Sequence, residues 1–86
     1  MDRLDRLGIS PGECDADTEP QTILLNACTE TSCNLKDICL KHCENIGCGH
    51  FETRSNDCLL FDSDQIITKT KANPFANCYR IVKKGT

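Results

Sequence analysis

Eight cysteines in a chain of 86 residues constrain this fold more than any other feature of the sequence. A chain of this length cannot bury a large apolar core, and small secreted domains compensate with covalent cross-links. An even number of cysteines at this density predicts a framework of up to four disulfides. Since disulfides persist in oxidising compartments, the sequence predicts a secreted or extracellular protein. The cysteines are Cys14, Cys28, Cys33, Cys39, Cys43, Cys48, Cys58 and Cys78.

The two ends of the chain read as flanking segments around one domain, which is the number that this length predicts. Residues 1–13 are mostly polar and close with Ser10-Pro11-Gly12, so we expect a flexible leader made of linker or vector residues. This segment lacks the apolar run of a secretory signal, and we therefore expect a piece of a longer secreted precursor. The domain is expected over residues 14–82 and a tail over residues 83–86.

Charge and hydropathy exclude two classes of partner. The formal net charge is −3 at pH 7, and positive and negative residues are mixed along the chain. The sequence has no long basic run of the kind that binds nucleic acid, so a nucleic-acid partner is not expected. No segment approaches the roughly 20 consecutive apolar residues that cross a bilayer, so membrane insertion is not expected.

The middle of the chain carries the pattern of one amphipathic helix. Asn34 has the side chain of an N-cap, and Gly47 fits the left-handed position that ends a helix. Between them, apolar and cysteine residues recur at spacings of three and four, which predicts a helix over Leu35–Ile46. Its expected inner face consists of Leu35, Ile38, Cys39, His42, Cys43 and Ile46.

Short segments of high strand propensity flank this helix and predict an antiparallel sheet. Turn residues such as Ser55-Asn56-Asp57 separate them. We therefore predict a disulfide-rich α+β domain in which a sheet of about five strands packs against one helix. The expected strand segments are 22–25, 50–54, 58–61, 65–70 and 77–82.

Zinc is the main alternative to disulfides for so many cysteines. His42 and His50 lie among Cys39, Cys43 and Cys48, and zinc sites combine cysteine and histidine ligands. Eight cysteines nevertheless exceed one tetrahedral site and leave no orderly second pair of ligands. The sequence therefore predicts no metal and no other cofactor.

The residues of an enzyme active site are not found in this sequence. An even number of paired cysteines leaves no free thiolate to act as a nucleophile. The chain has no serine-nucleophile elbow, no His-Glu-x-x-His and no Cys-x-x-Cys motif. Asp62 and Asp64 resemble the start of a calcium loop, but Ile66 and Ile67 follow where further ligands are needed, so a turn is expected. We expect a binding domain rather than an enzyme.

The spacing of the central cysteines resembles that of the PAN or apple domain. The residues that carry the resemblance are Cys39-x-x-x-Cys43, Cys48 just past the helix-ending glycine, Phe51, and Cys58-Leu59-Leu60. Cys14 and Cys78 lie about where that family places its terminal disulfide. Apple domains occur in coagulation factor XI and plasma prekallikrein, and in tandem arrays in the microneme adhesins of coccidian (Eimeria-type) parasites. The resemblance covers roughly residues 14–82.

The resemblance implies a disulfide connectivity, whereas the number of cysteines alone leaves more than a hundred pairings open. It implies the pairs Cys14–Cys78, Cys39–Cys58 and Cys43–Cys48. Cys28 and Cys33 are surplus to the common pattern of the family, and a local Cys28–Cys33 loop is the economical completion.

The resemblance also implies a function. Apple domains are extracellular binding modules, so we expect a cell-adhesion module that binds another protein or a host-cell surface receptor within a secreted, tandem-repeat adhesin. Some parasite apple domains bind galactose-type sugars, and a lectin module for host-cell attachment is therefore the alternative. For such an adhesin, storage in the microneme before host-cell invasion is the implied location.

Four residues near the end of the chain are the candidate ligand contacts. Phe51 and Phe61 occupy apolar strand positions and are expected in the core. Phe75 follows Asn73-Pro74 and is expected on an exposed loop, where an aromatic ring can stack on the apolar face of a sugar. With its neighbours it forms a candidate patch, called here the Phe75 patch, which consists of Lys71, Asn73, Phe75 and Asn77.

Overall fold

One helix and seven strands make up the part of the chain that the computed structural model describes, which is residues 2–6 and 11–83, with side chains described for 11–81. In chain order the elements are β1 (Asp2–Arg6), β2 (Glu13–Cys14), β3 (Thr22–Leu24), α1 (Leu35–Ile46), β4 (His50–Arg54), β5 (Asp57–Phe61), β6 (Thr70–Lys71) and β7 (Ala76–Lys83).

The strands form two antiparallel sheets. The larger has the order β1-β7-β4-β5-β3, and the smaller pairs β2 with β6. The predicted α+β class with one helix and a five-stranded antiparallel sheet is confirmed. β4 lies at the centre of the large sheet, between β5 and β7, so its backbone is paired on both sides.

Helix α1 has the predicted bounds because both of its ends are encoded locally. The Asn34 side chain accepts a hydrogen bond from the backbone N–H of Asp37 at 3.4 Å, and Gly47 takes a left-handed φ of 76°. The predicted inner face is only partly right. Cys39 and Cys43 are buried, but His42 is exposed and Ile46 remains 40% exposed.

The large sheet buries residues on both of its faces. On the face covered by the helix, Phe51 lies at the centre of a cluster that includes Leu60, and its ring stacks on Tyr79 with centroids 5.0 Å apart. On the opposite face, Phe61 packs with Ile67 and the disulfide between Cys14 and Cys78. The expectation that Phe51 and Phe61 belong to the core is therefore confirmed.

The segment 65–70 is not the continuous strand that its composition predicts. Only Thr70 enters a strand, where β6 pairs with β2 over two residues. Ile67 instead turns inward and is buried, while Ile66 is 82% exposed. Strand propensity alone cannot form a strand, because the ladder needs a partner with free backbone groups.

The start of the chain also differs from the sequence expectation. Within the expected leader over 1–13, the structure has Asp2–Arg6 as β1, paired with β7, and Glu13 as the first residue of β2. Pairing at a sheet edge uses backbone N–H and C=O groups, so a polar sequence can join it. Residues 1, 7–10 and 84–86, which include most of the expected tail, lie outside the described residues.

Candidate functional site

Four disulfides hold the elements in place, and no cysteine is free. Their Cα–Cα separations run from 4.9 to 5.9 Å, within the usual range for a disulfide. The pairs are Cys14–Cys78, Cys28–Cys33, Cys39–Cys58 and Cys43–Cys48, as the resemblance and its completion implied. Zinc coordination needs thiolates, and each cysteine sulfur is instead bonded to another sulfur. Four disulfides indicate a secreted or extracellular protein.

A buried carboxylate ties β4 to β2. Glu52 is fully buried and accepts hydrogen bonds from the backbone N–H of Cys14 at 2.9 Å and from Nε of Arg54 at 2.7 Å. Arg54 also reaches Glu13, with 3.1 Å between Nη2 and Oε1. Burial raises the pKa of Glu52, and the hydrogen bonds from Arg54 and Cys14 oppose this shift.

This charged network extends to the loop that carries Phe75. Nδ2 of Asn73 donates to Oε2 of Glu13 at 2.7 Å, while Oδ1 of Asn73 accepts from the backbone N–H of Phe75 at 2.9 Å. The backbone carbonyl of Phe75 accepts from the N–H of Ser55 at 3.2 Å. Both the N–H and the carbonyl of Phe75 are therefore hydrogen-bonded, while Phe75 itself is 73% exposed.

The other members of the Phe75 patch have different surroundings. Lys71 lies in β6, is exposed, and has its Nζ 3.9 Å from a carboxylate oxygen of Asp15. Asn77 is half-buried in β7 opposite Thr53. Since Asn73 is engaged in the network, Phe75 and Lys71 are the exposed members of this patch.

A cavity of about 460 Å³ lies at the C-terminal end of α1, and the sequence did not indicate it. Four side chains with polar groups line it, namely Glu44, His50, Ser63 and Arg80. Its remaining lining comes from Gly47, Cys48, Gly49 and Ile81. Gly49 lets the chain after β5 approach closely, since a Cβ at Gly49 would lie 2.9 Å from Cα of Ser63.

His50 is the unusual member of this cavity. Only 9% of the residue is exposed, and neither Nδ1 nor Nε2 has a hydrogen-bond partner among the described residues. Arg80 lies directly opposite it in the register of β4 and β7. Burial and then the charge of Arg80 lower the pKa of His50, so the imidazole is neutral at pH 7. The sequence predicts His50 only as the first residue of a strand, which is confirmed.

A smaller cavity of about 270 Å³ lies between two loops and is lined by Asp17, Thr18, Asp64, Gln65 and Ile66. The expected turn after β5 is confirmed, because a carboxylate oxygen of Asp62 accepts from the backbone N–H of Asp64 at 3.0 Å. In residues 2–6 and 11–83, no three histidine, cysteine or acidic side chains are grouped as metal ligands would be.

No family model matches the chain, and no curated protein or solved structure resembles it at a significant level. The PAN/apple resemblance thus stays a prediction from the cysteine spacing. Within the described residues, no helix combines the length and the apolar character needed to cross a membrane.

Proposed function

We propose that this protein is an extracellular module of the PAN/apple type that binds another protein, with Phe75 as the central contact. The observation that carries this proposal is the exposure of the Phe75 ring, 73%, on a loop whose backbone is fixed by Asn73 and Ser55. Aromatic side chains are enriched among the residues that dominate protein interfaces. A loop that is already ordered loses little conformational entropy on binding.

The disulfide framework supports the same proposal. Glu52 binds the backbone of Cys14, and Cys14 is bonded to Cys78, so the network beneath the Phe75 loop is anchored to a covalent cross-link. A rigid, oxidised scaffold with loops at its surface suits recognition outside the cell. In this proposal the module belongs to a secreted adhesin with sister modules, stored in a microneme and used in host-cell attachment.

Binding of the fluorescently labelled, oxidised domain to cultured epithelial cells tests this function. We expect saturable binding that protease treatment of the cells removes and that Phe75→Ala weakens by at least about tenfold, as for a central interface residue. The matched control is Ile66→Ala, which removes an apolar side chain that is 82% exposed on another loop and should leave binding unchanged. Equal binding by Phe75→Ala and the unchanged domain would refute the proposed contact.

A lectin module is the second candidate, and the same exposed ring favours it, because aromatic rings stack on the apolar faces of sugars. Lys71, which is also exposed and lies four positions earlier in the chain, has an ammonium group that can donate to a sugar hydroxyl. A glycan array separates the two functions. Reproducible galactose binding that is lost in Phe75→Ala would favour the lectin, and treatment of the cells with galactosidase would then remove the cell binding.

A further inference from the structure

Arg54 belongs to the network that fixes the Phe75 loop. In the register of β4 and β7 it lies opposite Ala76, the residue directly after Phe75. Its Nε binds Glu52 and its Nη2 binds Glu13, while its Nη1 has no partner among the described residues. The guanidinium therefore keeps N–H donors for a ligand, because each of its terminal nitrogens carries more than one hydrogen.

Two lysines continue the positive charge of Arg54 along the segment of β6. Lys71 is paired with Glu13 in the register of β2 and β6, and the carboxylate of Glu13 is the one that binds Arg54. The ammonium groups of Lys69 and Lys71 lie 3.5 and 3.9 Å from the two carboxylate oxygens of Asp15. Two cations thus share one carboxylate. We call Arg54, Lys69 and Lys71 the basic rim.

The basic members of these ion pairs are more exposed than the acidic ones. The side chains of Lys69 and Lys71 are 72% and 66% exposed, whereas that of Asp15 is 23% exposed. The side chain of Arg54 is 39% exposed, and the two carboxylates that it binds are 29% and 1% exposed. A molecule that approaches this surface therefore meets positive charge first, although the whole chain has a net charge of −3. Exposed ion pairs contribute little to stability, so an incoming carboxylate can join or replace them.

We propose that the partner of the Phe75 loop is an acidic protein segment, which places an apolar side chain on Phe75 and carboxylates on the basic rim. Complementary charges around an apolar contact fix its register and speed association. A guanidinium with unused N–H groups also matches the oxygens of a carboxylate. A sulfated glycan fits less well, because the negative net charge of the chain repels a polyanion. This inference rests on the proposed protein-binding function and adds the charge of the partner.

The test is a nuclear magnetic resonance titration of the oxidised domain with a short peptide. The probe is acetyl-Glu-Glu-Leu-Glu-Glu-amide, and the matched control is acetyl-Gln-Gln-Leu-Gln-Gln-amide, which keeps the length and the leucine without the charge. We expect the glutamate peptide to give saturable shifts of the Phe75 and Lys71 resonances, and the glutamine peptide to bind about tenfold more weakly. Added salt should weaken only the glutamate peptide.

Three outcomes of this titration would overturn the proposal. The first is the absence of saturable shifts with the glutamate peptide, and the second is equal binding of the two peptides. The third is tighter binding of a heparin tetrasaccharide at the same resonances, which would show that the surface recognises a polyanionic glycan instead.

Charge variants locate the binding of the glutamate peptide. The double variant Lys69→Gln, Lys71→Gln should weaken it by about tenfold, whereas Asp15→Asn, which removes the carboxylate between the lysines, should tighten it. The matched control is Lys36→Gln, Lys41→Gln, which removes the same charge from exposed positions of α1 and should leave binding unchanged. Equal weakening in the two double variants would contradict the basic rim. Cell binding that depends on Phe75 but not on these lysines would refute the acidic partner and leave the proposed function standing.

Discussion

The carboxylate of Glu52 lies 2.7 Å from Nε of Arg54, although Glu52 is fully buried and Arg54 keeps 39% of its side chain exposed. The two residues are two positions apart on β4 and therefore share one face of the strand. Arg54 thus brings a positive charge from the surface to a carboxylate that water cannot reach. The ion pair joins the central strand to Glu13 and, through Asn73, to the loop of Phe75.

Removing Arg54 should destabilise the protein. In Arg54→Met the buried carboxylate of Glu52 loses its charged partner, and we expect the free energy of unfolding to fall by about 2 kcal/mol. Urea denaturation followed by the fluorescence of Tyr79 measures this change. The control is Lys69→Met, which breaks an exposed ion pair with Asp15 and should cost less than about 0.5 kcal/mol. Equal losses in the two variants would contradict the role of Arg54.

Glu52 should make stability fall as the pH rises. Its pKa in the folded protein is above the ordinary 4.5, so the folded state holds a proton that the unfolded state releases. The contribution of Glu52 to the free energy of unfolding is fully present below pH 4.5. It is lost as the pH rises through the raised pKa of Glu52 in the folded protein. Comparing urea denaturation of the wild type and Glu52→Gln from pH 4 to 8 isolates the effect. If the stability of the wild type relative to Glu52→Gln stays constant or rises over this pH range, the expectation is wrong.

His50 should act in the opposite direction. Its pKa in the folded protein lies below the ordinary 6.5, so the unfolded state takes up a proton first as the pH falls. The free energy of unfolding of the wild type, compared with that of His50→Gln, should be constant above pH 6.5. It should decline as the pH falls from 6.5 towards the lowered pKa of His50 in the folded protein. The charged groups in its cavity are Arg80 and Glu44. A His50 resonance that titrates at or above 6.5 without ligand would contradict this expectation.

The disulfide between Cys14 and Cys78 should contribute more stability than the one between Cys28 and Cys33. The first closes a loop with a sequence separation of 64 and the second one of 5. The chain-entropy model assigns them about 4 and about 2 kcal/mol. Thermal unfolding of the two double Cys→Ser variants, each with its other disulfides intact, compares them. Equal melting temperatures would show that loop length does not set their ranking.

Local elements of this fold could be predicted because their signals lie in adjacent residues. The cap at Asn34, the left-handed Gly47 and the spacing of cysteines between them define α1 without help from the rest of the chain. Phe75 follows a proline and an asparagine, and its exposure is visible in this local pattern. The prediction of a strand over 65–70 was wrong, because a strand forms only where another strand elsewhere in the chain pairs with it.

The sequence by itself determined the covalent and local character of this protein, namely eight paired cysteines, one helix with both of its caps, and an aromatic ring on a loop. Only the tertiary structure decided which side chains meet. Glu52 and Glu13 are far apart along the chain and come together around Arg54, and His50 lies opposite Arg80 because β4 lies beside β7. Burial then gives Glu52 and His50 their shifted pKa values, since a charge loses its hydration only when distant parts of the chain close around it.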